Sequence, residues 1–205
     1  MAFKKLIPSL QESIQQNGFS IPTDFQKKLI PKIKSGNDFI GIGPNGSGKT
    51  TALIINVIQK LNGTAFEDVP RALIFVKDKK AALALEEEFL QFTKNTDLRI
   101  FTVYEEGNIN VQKDSIYVGI DIVIATPKRL AKIYFQNGIN LANLQMLIIE
   151  DAHFLYHNNS NHTDIHRITE SLAKCQYIVF SNEFNSKIER LQDLFLHHAQ
   201  VVNFS

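Results

Sequence analysis

The sequence predicts an α/β fold of three layers, a mainly parallel sheet covered by helices on both faces. Three observations predict it. Seven short runs rich in Ile, Val and Phe recur along the chain. Several of these runs are apolar throughout rather than alternating, as in strands buried on both faces. Between them lie stretches with helical spacing of apolar residues, so strand and helix alternate and right-handed crossovers follow.

The predicted strands are DFIGIG (38–43), ALIFV (72–76), RIFTVY (99–104), DIVIAT (121–126), MLIIED (146–151), QYIVFS (176–181) and QVVNF (200–204). Helical patterns cover KTTALIINVIQKL (49–61), KKAALALEEEFLQF (79–92) and TDIHRITESLAK (163–174), the last with Thr163 as a favourable N-cap. Two polar stretches, residues 107–119 and 157–162, read as surface loops. The histidines of the second, and His197 and His198, read as solvated side chains rather than metal ligands, because the ligand spacing is unconvincing.

Bulk properties narrow the class. With 205 residues the chain suits one α/β domain and is marginal for two. Its 44% apolar and 21% charged residues are an ordinary globular balance, and a net charge of +1 gives no global basic field. One cysteine, Cys175, excludes an internal disulfide and reads as a small core residue of a protein in a reducing cytoplasm. No apolar run approaches the roughly 20 residues that span a bilayer, and MAFKKLIPSL lacks the form of a secretory signal. A soluble monomer with no membrane partner is expected.

The segment GPNGSGKT, Gly43 to Thr50, fits G-x-x-x-x-G-K-[ST] in full and stands between a predicted strand and a predicted helix. Glycines let such a loop curl so that backbone N–H groups point at phosphate oxygens, and the following helix adds its positive N-terminal end. A nucleoside triphosphate is therefore expected on Pro44, Asn45, Gly46, Ser47, Gly48, Lys49, Thr50 and Thr51. Lys49 would reach the β- and γ-phosphates and Thr50 would ligate Mg²⁺. LIIED ends a neighbouring strand in two acids. Glu150 is the expected metal partner of Thr50, and Asp151 is placed to orient a water.

Upstream, GFSIPTDFQ (18–26) resembles the adenine-recognising Q motif of DEAD-box RNA helicases, G-[FY]-x-x-P-[TS]-x-[IF]-Q. The resemblance implies that Gln26 offers its amide to the adenine edge and that Phe19 packs on or near the base. The likeness continues in order. TPKRL (126–130) is similar to the TPGRL element that contacts RNA backbone, which implies RNA contacts at Thr126, Pro127 and Arg129. EDAH (150–153) stands at the DEAD box and FSNEF (180–184) at the S-A-T element. His153 matches the DEAH variant, but the surrounding motifs side with DEAD-box proteins. The resemblance covers nearly the whole chain and implies a single RecA-like P-loop NTPase domain over 1–205, with ATP or ADP and Mg²⁺ as cofactors. RNA is the implied partner, held weakly by this domain alone. A second RecA-like domain is absent from these residues and would be supplied in cis or by a partner protein.

The departures from the family pattern are chemical. KDKKAA (77–82) places Lys79 where the family has a phosphate-contacting arginine, keeping charge but losing the planar fork. Glu105 and Glu106 replace a flexible Gly-Gly and would repel an RNA backbone. Asn182 and Glu183 replace two residues of S-A-T. Glu150-Asp151 inverts the lengths of the two acids, moving each carboxylate by about one C–C bond, roughly 1.5 Å. Lys49, Glu150 and Asp151 are thus expected to bind Mg-ATP and hydrolyse it slowly. Two readings stay open: the ATP-binding domain of a helicase, and a degenerate nucleotide-binding regulatory module. An unrelated P-loop ATPase leaves Gln26 and TPKR without a role.

Overall fold

The computed structural model describes residues 2–19, 21–156 and 159–203. All seven expected strands form: β1 (Phe39–Ile42), β2 (Ala72–Phe75), β3 (Ile100–Val103), β4 (Ile122–Ala125), β5 (Met146–Ile149), β6 (Gln176–Ser181) and β7 (Gln200–Asn203). They make one parallel sheet in the order β3-β4-β2-β5-β6-β1-β7. The position of Phe204, expected within the last strand, lies outside the described residues.

Among the described residues, eight α-helices cover the sheet: α1 (Pro8–Gln16), α2 (Asp24–Lys34), α3 (Lys49–Lys60), α4 (Lys79–Thr93), α5 (Ile109–Tyr117), α6 (Pro127–Phe135), α7 (Asn159–Thr169) and α8 (Ser186–Leu194). Side chains of α1 to α4 pack with alternate strand residues such as Phe39, Ile74 and Ile148 in one core. Those of α5 to α8 pack with the intervening residues, Ile40, Leu73 and Leu147, in a second. Strands apolar on both faces thus feed two cores at once, each buried side chain contributing about 1.5–3 kcal/mol. Cys175 is buried, and burial pushes its thiol up to about 11.

Two expected loops are helical. Residues 109–117 of the polar stretch form α5, because the Asn108 side chain accepts from the N–H groups of Asn110 and Val111 while Ile116 turns into the core. α7 begins at Asn159, so Thr163 lies inside the helix rather than capping it. Burial of Ile165 and Ile168 outweighs the polar composition of its start. His157 and Asn158, at the start of the second expected loop, lie outside the described residues.

The N-terminal edge of the sheet is fastened by charge. Asp121, before β4, is fully buried and accepts from Arg71 Nη2 at 2.7 Å and Arg99 Nε at 2.9 Å, the residues before β2 and β3. Burial would raise its carboxyl, but the hydrogen bonds from Arg99, Arg71 and the Phe66 N–H prevail and hold it below the ordinary carboxylate range. This edge carries stability, which leaves the opposite edge for chemistry. No helix of the described residues is long and apolar enough to cross a membrane.

Candidate active site

In parallel sheets, ligands sit beyond the carboxyl ends of the strands. At that edge β1 delivers the loop Gly43–Gly48. Its neighbour β6 delivers Ser181 and Asn182, and the next strand, β5, delivers Glu150 and Asp151. The three tips stand side by side, locked by bonds such as Gly43 N to Ser181 O at 3.1 Å.

The loop has the conformation a phosphate cradle needs. Gly46 and Gly48 have φ of +80° and +89°, which L side chains avoid. Gly48 precedes α3 and cannot cap it with a side chain, so the first N–H groups of that helix have no side-chain partner. A Cβ at Gly48 would come within 2.9 Å of Gln26 Nε2. The Ser47 hydroxyl is buried with no hydrogen-bond partner among the described residues. Lys49 folds back over the loop. Its ammonium donates to the carbonyls of Gly43 and Pro44 and, at 2.7 Å, to Oδ1 of Asn182. Burial lowers its pKa, while Asp151 and Glu150 act the other way. An orphan hydroxyl, uncapped helix N–H groups and an ammonium held on neutral oxygens form a donor set that fits phosphate oxygens.

The expected metal pair also meets. Thr50 Oγ1 donates to Glu150 Oε1 at 3.2 Å, across a separation of 100 residues. Burial pushes the Glu150 carboxyl above its ordinary range, opposed by the Thr50 hydroxyl and Lys49 and reinforced by Asp151 and Glu88. A hydroxyl and a half-buried carboxylate are hard oxygen donors suited to Mg²⁺. Asp151 does not share this arrangement, because its Oδ1 accepts from the His153 backbone N–H at 3.0 Å.

The upstream segment is joined to the cradle. Thr23 caps α2 in a reciprocal box: its hydroxyl accepts from Gln26 N–H, and Gln26 Oε1 accepts from Thr23 N–H at 3.0 Å. The Thr23 hydroxyl also donates to Ser47 O at 3.0 Å, fixing α2 against the loop. Gln26 is 3% exposed, so its amide is set by the fold rather than by solvent. Phe19 stacks on Phe92, with ring centroids 5.8 Å apart, and keeps 39% of its surface exposed.

Toward the other side of the sheet, β3 and β4 bring together Tyr104–Glu106 and Thr126. Thr126 stands at the N-cap of α6, yet its side chain makes no cap bond. Its hydroxyl donates instead to Glu105 Oε2 at 2.6 Å, and Arg129 Nη2 donates to the Glu105 backbone carbonyl. Arg129 also donates to Gln112 at 3.3 Å. Thr126, Pro127 and Arg129 are all buried. Lys79, exposed at the start of α4, places its ammonium 5.2 Å from the centre of the Tyr104 ring. Two partners escaped the sequence reading. Asn182 and Glu105 stood out as departures from the motifs, but their engagement with Lys49 and Thr126 follows from strand order, which the sequence does not spell out.

Comparison with known proteins shows the family and the fold. The DEAD/DEAH box helicase family model matches residues 23–191. The chain is 32% identical over 148 residues to the ATP-dependent RNA helicase DBP10 of Phaeosphaeria nodorum, covering 72% of this chain and 17% of that protein. It is 29% identical over 202 residues to the ATP-dependent RNA helicase ddx54 of Dictyostelium discoideum, covering 97% and 18%. It therefore spans less than a fifth of the length of these two relatives. Among solved structures, a DEAD box protein from Methanococcus jannaschii superposes with a TM-score of 0.89 at 23% identity, over 98% of this chain and 55% of that one. The yeast DEAD-box splicing factor Prp28 does so with 0.83 at 21% identity, over 93% and 48%. The fold is thus the three-layer RecA-like one, and, with the family model spanning most of its length, the chain belongs to the DEAD/DEAH box helicase family.

Proposed function

We propose that the chain is an ATP-binding helicase domain that holds Mg-ATP or Mg-ADP on Pro44–Thr51, hydrolyses ATP slowly, and touches RNA backbone only weakly. The observation that carries this reading is the meeting of three strand tips, where Lys49, Thr50 and Glu150 converge beside the buried, unpartnered Ser47 hydroxyl of the loop. Lys49 would leave Asn182 to meet the β- and γ-phosphates. Gln26 and Phe19 would read and pack the adenine. Mg²⁺, held by Thr50 and Glu150, would neutralise developing charge on phosphate oxygens. Asp151 would hold the attacking water, but its carboxylate is short for the task and engaged with His153. Misplacement of about 1 Å lowers such a step on the order of 10²-fold. Full turnover and unwinding would need a second RecA-like domain, in cis or from a partner protein, to add its own charges to the site.

Binding of ATP and GTP to wild type and Gln26→Ala, measured by calorimetry, tests the nucleotide reading. ATP preferred by wild type and lost in Gln26→Ala supports it; equal affinities overturn it. The Glu105–Thr126 contact favours a second reading, a nucleotide-binding regulatory module that has given up RNA. RNA-stimulated hydrolysis by the full-length protein decides between them, since a module of that kind shows none.

A further inference from the structure

We infer that a lysine-rimmed apolar groove beside α2 is a docking site for an acidic, amphipathic peptide segment of a partner protein. The groove encloses about 1130 Å³. Its floor is apolar: Leu6 and Ile30 are buried there, flanked by Phe3 and Pro31. Ile21 forms one lip and keeps 76% of its surface exposed, which makes the apolar floor continuous with an apolar edge. Lys4, Lys5, Lys27 and Lys34 stand around this floor; Lys27 is paired with the exposed Asp24 of its own helix at 2.8 Å, the Lys34 ammonium lies 3.4 Å from the Lys5 carbonyl, and none of the described residues lining the groove is acidic. The whole chain carries a net charge of +1, so this concentration of lysine is local.

Chemistry on both layers of the groove selects the occupant. An apolar trough wide enough for side chains calls for Leu- or Phe-like anchors, and a cationic rim calls for Asp and Glu flanking them. A helix with apolar residues at i, i+3, i+4 and i+7 and acids elsewhere meets both demands. An RNA backbone would satisfy the lysines and leave the floor wet. The rim would speed encounter and fix orientation, while the floor supplies the lasting contact.

Fluorescence anisotropy tests this with labelled peptides of about 14 residues, long enough for four helical turns. One peptide carries the acidic amphipathic pattern, one has the same composition scrambled, and one has Lys in place of every acid. A short single-stranded uridine oligonucleotide serves as competitor. The titration is done without nucleotide, so its outcome is independent of the ATP reading. The acidic amphipathic peptide should bind saturably. Either Ile21→Asp or the pair Lys4→Glu and Lys34→Glu should weaken it at least about tenfold. Melting curves like that of wild type would show these surface variants folded. Absence of saturable binding, equal binding by the scrambled or Lys-bearing peptide, indifference to both variants, or displacement by the oligonucleotide would each overturn the inference.

Discussion

The ammonium of Lys49 lies 2.7 Å from Oδ1 of Asn182, so the lysine at the centre of the phosphate cradle is held by the tip of the neighbouring strand. A hydrogen bond to a charged group is worth about 1.5–3 kcal/mol, part of which must be given up before Lys49 can turn to a phosphate. Asn182→Ala removes the competitor. Its affinity for Mg-ADP, read by fluorescence titration, should rise about 3- to 10-fold. Unchanged affinity would mean that the contact does not oppose binding.

Glu105 opposes the other ligand. Its carboxylate takes the hydroxyl of Thr126 at 2.6 Å, at a helix N-terminus that otherwise favours an anion. Glu105→Gln keeps the shape and removes the charge. Affinity for single-stranded RNA at low salt should rise about tenfold, with the gain shrinking as salt is added. An equal affinity for the two proteins would show that Glu105 does not guard the site.

Gly48 combines a φ of +89° with a Cβ position 2.9 Å from Gln26 Nε2. Gly48→Ala should therefore lower stability by about 1–2 kcal/mol through backbone strain and push Gln26 from its capping position. Thermal unfolding and ATP affinity should fall together. A variant as stable as wild type that still prefers ATP to GTP would contradict this geometry.

Asp121 governs acid stability. Its folded-state pKa lies below the ordinary value of 3.8, so the stability it contributes is complete above that value and is lost as the pH falls through the folded one. Asp121→Asn strips the buried Arg71 of its ion-pair partner, while Arg99 keeps Asp68 at 3.0 Å, and should cost about 3–5 kcal/mol at neutral pH. Its stability should also vary less with pH in the acid range. Denaturant titrations at several pH values check both effects.

The sheet was legible because its strands are apolar on both faces, a pattern that few other structures require. The phosphate loop was legible because its glycines and lysine have fixed spacing. α5 and α7 were hidden, since Asn108 and a few inward isoleucines are faint against polar neighbours. The pairings Lys49–Asn182 and Glu105–Thr126 were hidden for a different reason. The first joins residues 133 apart in the chain and the second joins successive strands across α5, so side-chain type alone could flag the departures without saying whom they meet.

The order of Glu150 and Asp151 remains the most direct test of the nucleotide site. Glu150 reaches Thr50 at 3.2 Å, while Asp151 is occupied with the backbone of His153 at 3.0 Å. Single-turnover ATP hydrolysis should be compared between wild type and the double variant Glu150→Asp, Asp151→Glu. Both should bind Mg-ATP, and the variant should hydrolyse it faster, by up to about 10²-fold. A wild-type rate equal to or above that of the variant would contradict this.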